Sequence, residues 1–391
     1  MKTFADLITE VQERGLCHRC GGCVTFCEAV NYGALESDAE GNPRYRDQEK
    51  CIECGLCYVI CPVINELEKE VKKHVGWEEP LGRIQLITTG RSTDQEIRAR
   101  ATDGGLVTGL LLTLLTRGHI DGAVVSKKTG GFNRQPWLAR SGEELLEAAG
   151  FHFDTVQGTA LFPGIYSTYS PSIITLNQIK ATRNRVKRVA FVGTPCQINT
   201  MRRMQALGIL PSDTVQSYFG LFCSGNFYFR EEQRRQLETL GGFRWEDVLK
   251  INIKEDLMIH LSNEEVRHLP LEKLNFMKRP ACLFCNDYSA EYADLSFGGI
   301  GSEEGWTTVI IRNAVGKKVF EDGKVAHIEE IEFGKHAQFS EQALKKILDW
   351  SQKKKQQAEA QIRLFGKEDA EKLGFSAPSL PKEEGEILSS K

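Results

Sequence analysis

Residues 17–27 read CHRCGGCVTFC, and residues 51–62 read CIECGLCYVICP. Cys17, Cys20, Cys23 and Cys27 follow a C-x2-C-x2-C-x3-C spacing. Cys51, Cys54, Cys57 and Cys61 repeat it, and Pro62 closes the second run. Three cysteines at i, i+3 and i+6 on a tight loop hold three irons of one cubane, while the fourth reaches across to the other cluster. The spacing therefore assigns Cys17, Cys20, Cys23 and Cys61 to one [4Fe–4S] cluster. It assigns Cys51, Cys54, Cys57 and Cys27 to a second. Gly21, Gly22 and Gly55 keep these loops open and offer amide N–H groups near sulfur. Zinc sites or plain buried thiols are a poor match to two full runs at this spacing.

This is the pattern of a bacterial two-cluster ferredoxin module, an α+β fold. Glu28 stands where a proline often follows the first run. Working outward, the chain has 391 residues, 50 Lys+Arg against 53 Asp+Glu, and a net charge of −3. That length allows two or three domains and a core that needs no disulfide staples. The balanced charge gives no argument for nucleic acid or an anionic membrane as partner. All 12 cysteines fall in two groups, eight in residues 17–61 and four in residues 196–285. The opening MKTFADLITEVQERG carries acids and no apolar run, which argues against an export signal and hence against disulfides. The longest apolar stretch, Gly104 to Leu115, is far short of a membrane span. The expectation is a soluble, cytoplasmic protein, peripheral at most to a membrane complex through a partner, with no nucleic acid and no direct membrane insertion.

Phe4, Leu7, Ile8 and Val11 suggest a short amphipathic helix, and residues 66–79 (ELEKEVKKHVGWEE) a helix or linker leaving the cysteine-dense module. From Leu81 the pattern changes. IQLITTG, GAVVSK, RVAFVG and VQSYFGLFCSG read as strands, and GGLVTGLLLTLLTRG and INTMRRMQALG as helices. ITLNQIK continues the alternation, and ADLSFGGIG and WTTVIIRN return to β character. Such alternation predicts an α/β core. A helix is expected from about Ser340 to Phe365, then a flexible tail, APSLPKEEGEILSSK. The expected domains are 1–80 (ferredoxin-like and linker), 81–340 (α/β) and 341–391 (helix and tail).

Cys196 lies in VGTPCQ, Cys223 in LFCSG, and Cys282 and Cys285 in CLFC. Both lone cysteines follow strands, where α/β folds present site loops. On spacing alone a third cluster, a zinc site and unrelated core thiols all remain open. Asp103, Gly104, Gly105 and Thr108 form a D-G-G-x-x-T turn at the start of a buried helix. Glycine N–H groups there suit a phosphate or ribityl chain, though a plain helix cap reads equally well, and the turn is not the G-x-G-x-x-G fingerprint. Gly193, Thr194 and Pro195 form a rigid turn before Cys196. Gly298 and Gly299 belong to a second glycine-rich region that fits either a close-lying ligand or hairpin turns. Lys278 and Arg279 could meet phosphates or be a solvated pair, and Lys353 to Lys355 read as a solvated helix face. The eight histidines do not cluster, and no Ser-His-Asp set or carboxylate pair stands out.

ATDGGLVTGLL, VGTPCQI, LFCSG, RPACLFCNDYSAEYADLSFGGIGS and GWTTVIIR, in that order, resemble the beta subunit of the coenzyme F420-reducing hydrogenase and dehydrogenase family over roughly residues 82–340. The fused ferredoxin module makes the layout most similar to the electron-input subunit of deazaflavin dehydrogenases. The resemblance implies a flavin-binding α/β core domain with FAD at the turns just named, Asp103, Gly104, Gly105, Thr108, Gly193, Thr194, Pro195, Gly298 and Gly299. It implies that Cys196, Cys223, Cys282 and Cys285 ligate a third [4Fe–4S] cluster. It further implies coenzyme F420 as substrate, exchanging hydride with FAD, which passes single electrons through three clusters to or from a partner. That partner would be a larger redox complex of dehydrogenase, hydrogenase or heterodisulfide-reductase-like subunits, or a ferredoxin. The rival readings are a deazaflavin-independent electron-transfer adaptor of such a complex, and a flavoenzyme of this fold with another organic substrate. Nothing in the resemblance extends to the last fifty residues.

Overall fold

The computed structural model describes residues 1–130, 133–150, 169–181, 186–228, 231–331 and 336–365. The chain opens with one α turn, Phe4–Leu7, which runs into a π-helical stretch, Ile8–Gln12. Thr3 caps it: its hydroxyl accepts from Ala5 N and its own N–H donates to Asp6 Oδ2 at 2.6 Å. Phe4, Leu7 and Val11 turn inward onto Val24, Tyr58 and Ile64. Two helices, Gly22–Ala29 and Leu56–Val59, each start at a glycine in the left-handed region, Gly21 at φ +83° and Gly55 at φ +71°. A short hairpin of β1 (Leu35–Ser37) and β2 (Pro43–Tyr45) completes the module. A helix, Glu68–Val75, then ends at the left-handed Gly76.

The remainder is built on an eight-stranded sheet. Its strands are β3 (Leu86–Ser92), β4 (Gly122–Gly130), β5 (Asn133–Ala139), β6 (Val189–Gly193) and β7 (Val215–Leu221), then, after an inserted unit, β11 (Leu295–Gly298), β12 (Thr307–Ile311) and β13 (Ile328–Glu330). The order is β13-β3-β12-β11-β7-β6-β4-β5. β4, β6, β7 and β11 are mutually parallel. β12 is antiparallel to both β11 and β3, so β3 runs with the parallel set. Five strands thus end at one edge of the sheet, the side where α/β proteins bind ligands. The inserted unit is a three-stranded antiparallel sheet of β8 (Val248–Ile253), β9 (Asp256–Leu261) and β10 (Val266–Pro270). A helix, Glu231–Gly241, precedes it. β9 alternates inward and outward along DLMIHL, a period-2 signal of a one-sided sheet.

One face of the large sheet is covered by the helix Leu106–Thr116, whose leucines pack on Val125, Phe219, Phe297 and Val309. The other is covered by the helix Pro195–Ala206. Its Ile198, Met201 and Met204 join Phe191 and Tyr218 of the sheet, and also Phe26, Ile60, Leu67 and Val71 of the cysteine-rich module. The two parts therefore share one apolar core. Buried Arg203 fastens them: it donates to Ile64 O at 2.6 Å and pairs with Glu68 Oε2 at 2.9 Å. A 30-residue helix, His336–Phe365, closes the described chain. Its Ala343 and Ile347 pack on Ile87, Tyr288 and Ile300. The tail segment APSLPKEEGEILSSK lies outside the described residues.

Candidate functional site

Two cavities lie inside the N-terminal module, the first lined by five of its cysteines and the second by four. Cys17, Cys20, Cys23 and Cys61 line the first together with Cys57, beside Leu7, Ile60, Pro62 and Thr200. Cys27, Cys51, Cys54 and Cys57 line the second, beside Phe4, Phe26 and Leu35. The two tetrads expected from the spacing thus line two cavities that share Cys57. Their volumes, open mouths included, are about 430 and 360 Å³. Burial pushes the Cys20 and Cys57 thiols up to about 12. Such groups stay protonated at neutral pH unless cations meet them, and cluster iron supplies that charge. Cys23 and Cys57 line the same cavity, so the two tetrads adjoin.

Cys223 has Cys282, Cys285 and Cys196 as electrostatic neighbours, so the four later cysteines converge as well. Cys196 is in the first turn of Pro195–Ala206, Cys282 is in the short helix Pro280–Leu283, and Cys223 follows β7. Asn226 N donates to Cys282 Sγ at 3.4 Å, and Asn226 Nδ2 to Cys223 Sγ at 3.5 Å. Tyr169 Oη stands 3.5 Å and Thr194 Oγ1 3.3 Å from Cys196 Sγ. Burial raises the Cys223 thiol to about 12 and Cys285 to about 11. The set adjoins the first tetrad, because Cys196 is an electrostatic neighbour of both Cys17 and Cys20. Thr200 lies between them: its hydroxyl donates to Cys196 O at 2.9 Å and stands 3.5 Å from Cys20 Sγ.

Three cations surround this third set, and all are buried: Lys278, Arg279 and Lys354. Lys278 and Arg279 are therefore not a solvated pair. Arg279 donates to His18 O at 3.0 Å and covers the Tyr169 ring at 4.1 Å. Lys278 Nζ donates to Gln357 Oε1 at 3.0 Å. Within the run 353–355, Lys353 is exposed, but Lys354 turns into the protein and donates to Cys223 O and Asp287 O. The run does not read as one solvated face because position 354 shares the helix face of Ser351, Ala358 and Ile362, all buried. Nearby His18 is driven down to about 3, by burial first and then by Arg279 and Lys354.

A cleft of about 1550 Å³, its open mouth included, lies at the strand-end edge of the sheet. Asp103, Gly105, Thr108, Thr194, Gly298 and Gly299 line it, and so does Cys223. Gly104, Gly193 and Pro195 are not among its lining residues; they shape the turns behind it. The Gly104 N–H is already used, donating to Thr307 Oγ1 at 3.0 Å. Gly105 sits at φ +72°, and a Cβ there would meet Ile97 Cγ2 at 2.7 Å. The room left by that glycine is thus taken by the core, while its backbone faces the cleft. Asp103 lies against Gly299, whose added Cβ would stand 2.8 Å from Asp103 Oδ2. The inserted sheet supplies a wall with Asn252, Ile253 and Lys254, which the sequence did not flag. Thr102 Oγ1, Ser126 Oγ and Asn252 Oδ1 are buried there with no hydrogen-bond partner among the described residues. Buried polar atoms left so are costly. A large cleft with three of them fits a polar, extended ligand, and a flavin nucleotide is such a ligand.

The chain is similar to known iron–sulfur and coenzyme F420-linked proteins. Residues 9–62 match a 4Fe-4S dicluster domain. Residues 87–162 and 186–335 match the N- and C-terminal parts of the coenzyme F420 hydrogenase/dehydrogenase beta subunit. The chain is 34% identical over 255 residues to the coenzyme F420 hydrogenase subunit beta of Methanothermobacter thermautotrophicus, covering 64% of this chain and 85% of that subunit. It is 28% identical to the coenzyme F420-dependent sulfite reductase of Methanocaldococcus jannaschii, covering 83% of this chain and 49% of that protein. A chain of the F420-reducing [NiFe] hydrogenase complex from Methanosarcina barkeri superposes with a TM-score of 0.59 at 27% identity, covering 74% of this chain and 96% of that one.

Proposed function

The chain belongs to the coenzyme F420 hydrogenase/dehydrogenase beta-subunit family and carries a 4Fe-4S dicluster domain, and from that premise we propose that it exchanges hydride with coenzyme F420 at an FAD in the strand-end cleft and relays single electrons through three [4Fe–4S] clusters. The observation that carries this reading is the serial order of the sites. Cys223 lines the cleft and belongs to the third tetrad; Cys196 of that tetrad adjoins Cys17 and Cys20; Cys23 adjoins Cys57 of the last one. When bound, FAD supplies the conversion between two-electron hydride chemistry and the one-electron steps that iron–sulfur clusters can take.

The chain's own tasks are binding, orientation and exclusion of water. Asp103, Gly105, Thr108, Thr194, Gly298 and Gly299 would lie along the flavin, with Ser126 and Asn252 supplying hydrogen bonds. Arg279 and Thr200 hold the third tetrad to the first. No acid or base residue is required for hydride transfer. The last tetrad lies near Ile52, a large apolar side chain left 60% exposed, where a redox partner could take or deliver electrons. That partner is a larger complex of hydrogenase, dehydrogenase or heterodisulfide-reductase-like subunits, or a ferredoxin. Anaerobic stopped-flow mixing with reduced coenzyme F420 should bleach the flavin band rapidly, while NADH and NADPH should not. Reduction by ferredoxin alone would replace this reading with that of a deazaflavin-independent adaptor.

A further inference from the structure

The helix His336–Phe365 starts one residue past the matched family segment, 186–335. Its third quarter nevertheless reaches the third cysteine set. Lys354 is 6% exposed. Its ammonium donates to two backbone carbonyls, that of Cys223 itself and that of Asp287, two residues beyond Cys285. One turn on, Gln357 accepts from Lys278 Nζ at 3.0 Å. Trp350, one turn before, stacks on Tyr288 with ring centroids 6.0 Å apart. Tyr288 in turn lines the cleft, and its carbonyl accepts from Cys223 N at 2.8 Å. The helix is thus bonded to both segments that carry Cys223 and Cys285.

We propose that Lys354 is a positioning residue of the third cluster: it ties the Cys223 and Cys285 loops together and places a fixed positive charge beside the cluster, raising its potential. The proposal rests on the assignment of Cys196, Cys223, Cys282 and Cys285 as ligands of a third cluster. A four-thiolate cubane is an anion, and reduction makes it more so. A buried ammonium in a medium of low dielectric therefore favours the reduced form, and cluster potential follows local charge and hydrogen bonding. Neutralising the lysine shifts the potential downward. The first two tetrads lie in the other module, and both hydrogen bonds of Lys354 go to the loops of the third set, so the other two potentials stay.

The test compares the full-length chain with Lys354→Met and Lys354→Arg, all reconstituted and handled anaerobically. Iron and sulfide content is measured first, then each cluster's midpoint by redox titration followed by electron paramagnetic resonance. Wild type holding about 12 irons establishes the underlying assignment; about eight would remove it, and this proposal with it. Given three clusters, Lys354→Met should lower one midpoint by at least a tenfold change in the reduction equilibrium, about 59 mV for one electron. The other two should not move, and Lys354→Arg should restore the first. Three unchanged midpoints in a fully loaded Lys354→Met protein overturn the proposal. If Lys354→Met loses four irons, retention of them by Lys354→Arg supports it, and equal loss in both folded variants overturns it.

Discussion

At the residue scale the informative groups are those whose burial conflicts with their polarity. Asn252 Oδ1 is buried in the cleft wall without a partner among the described residues. Asn252→Ala should therefore cost the ligand-free protein little stability and weaken FAD by one hydrogen bond, about 1 kcal/mol or roughly fivefold. Fluorescence titration of the deflavinated chain measures it; unchanged affinity would leave Asn252 outside the flavin site. Glu291 is a second case. It accepts from Trp77 Nε1 at 2.8 Å and lies 3.6 Å from Lys355 Nζ, yet burial pushes its carboxyl up to about 7. The folded protein thus binds this proton more tightly than the unfolded chain does. Its contribution to stability is full below about 4.5 and is lost as pH rises through about 7. Urea midpoints should fall between pH 5 and pH 8, and Glu291→Gln, which cannot ionise, should flatten that part of the profile. An equal slope in the variant would assign it to other groups.

At the element scale the question is why two modules with separate sequence signatures form one body. The cysteine spacing gives the cluster loops, because ligand geometry is local. The strands β3, β4, β6, β7, β11 and β12 were legible for a similar reason, being short apolar runs between glycines. Docking was not legible. Nothing near Arg203 in the sequence points to Ile64 or Glu68, and the close approach of Gly22 to Thr200 appears only in three dimensions, an added Cβ there standing 2.3 Å from Thr200 Cγ2. The inserted sheet β8–β10 escaped for another reason: polar and charged residues interrupt its strands on the outward face. Lys354 escaped because a lysine run looks solvated until its helix is placed. Arg203→Met keeps the aliphatic stem but leaves the Ile64 carbonyl without its donor and Glu68 with Lys72 in place of its buried cation. Glu68 is partly exposed, so the loss should be about 2 kcal/mol rather than the larger values for fully buried pairs. The midpoint of chemical denaturation should drop accordingly, and protease should cut sooner within residues 66–80. Unchanged cutting would mean that the shared apolar core alone holds the modules together.

At the scale of the whole molecule, the arrangement is a line. The cleft touches Cys223, the third tetrad touches the first through Cys196 and Thr200, and the first touches the second through Cys23 and Cys57. A line has a property that a cluster of equivalent sites lacks: removing a middle member separates the ends without disturbing either. Cys282 is suited to that cut. It is buried in the short helix Pro280–Leu283, away from the cleft lining, and its sulfur accepts from Asn226 N. Cys282→Ser should reduce iron from about 12 to about eight per chain and leave the two N-terminal clusters spectroscopically intact. Flavin bleaching by reduced coenzyme F420 should persist, since the cleft is unchanged. Passage onward to an artificial one-electron acceptor at the ferredoxin end should fall sharply. The paired readout matters, because general misfolding would abolish both activities together, whereas a broken relay abolishes only the second. Onward transfer at the wild-type rate in a protein that has lost four irons would show that electrons leave the cleft by another route, and the serial order of the tetrads would then be a matter of architecture alone.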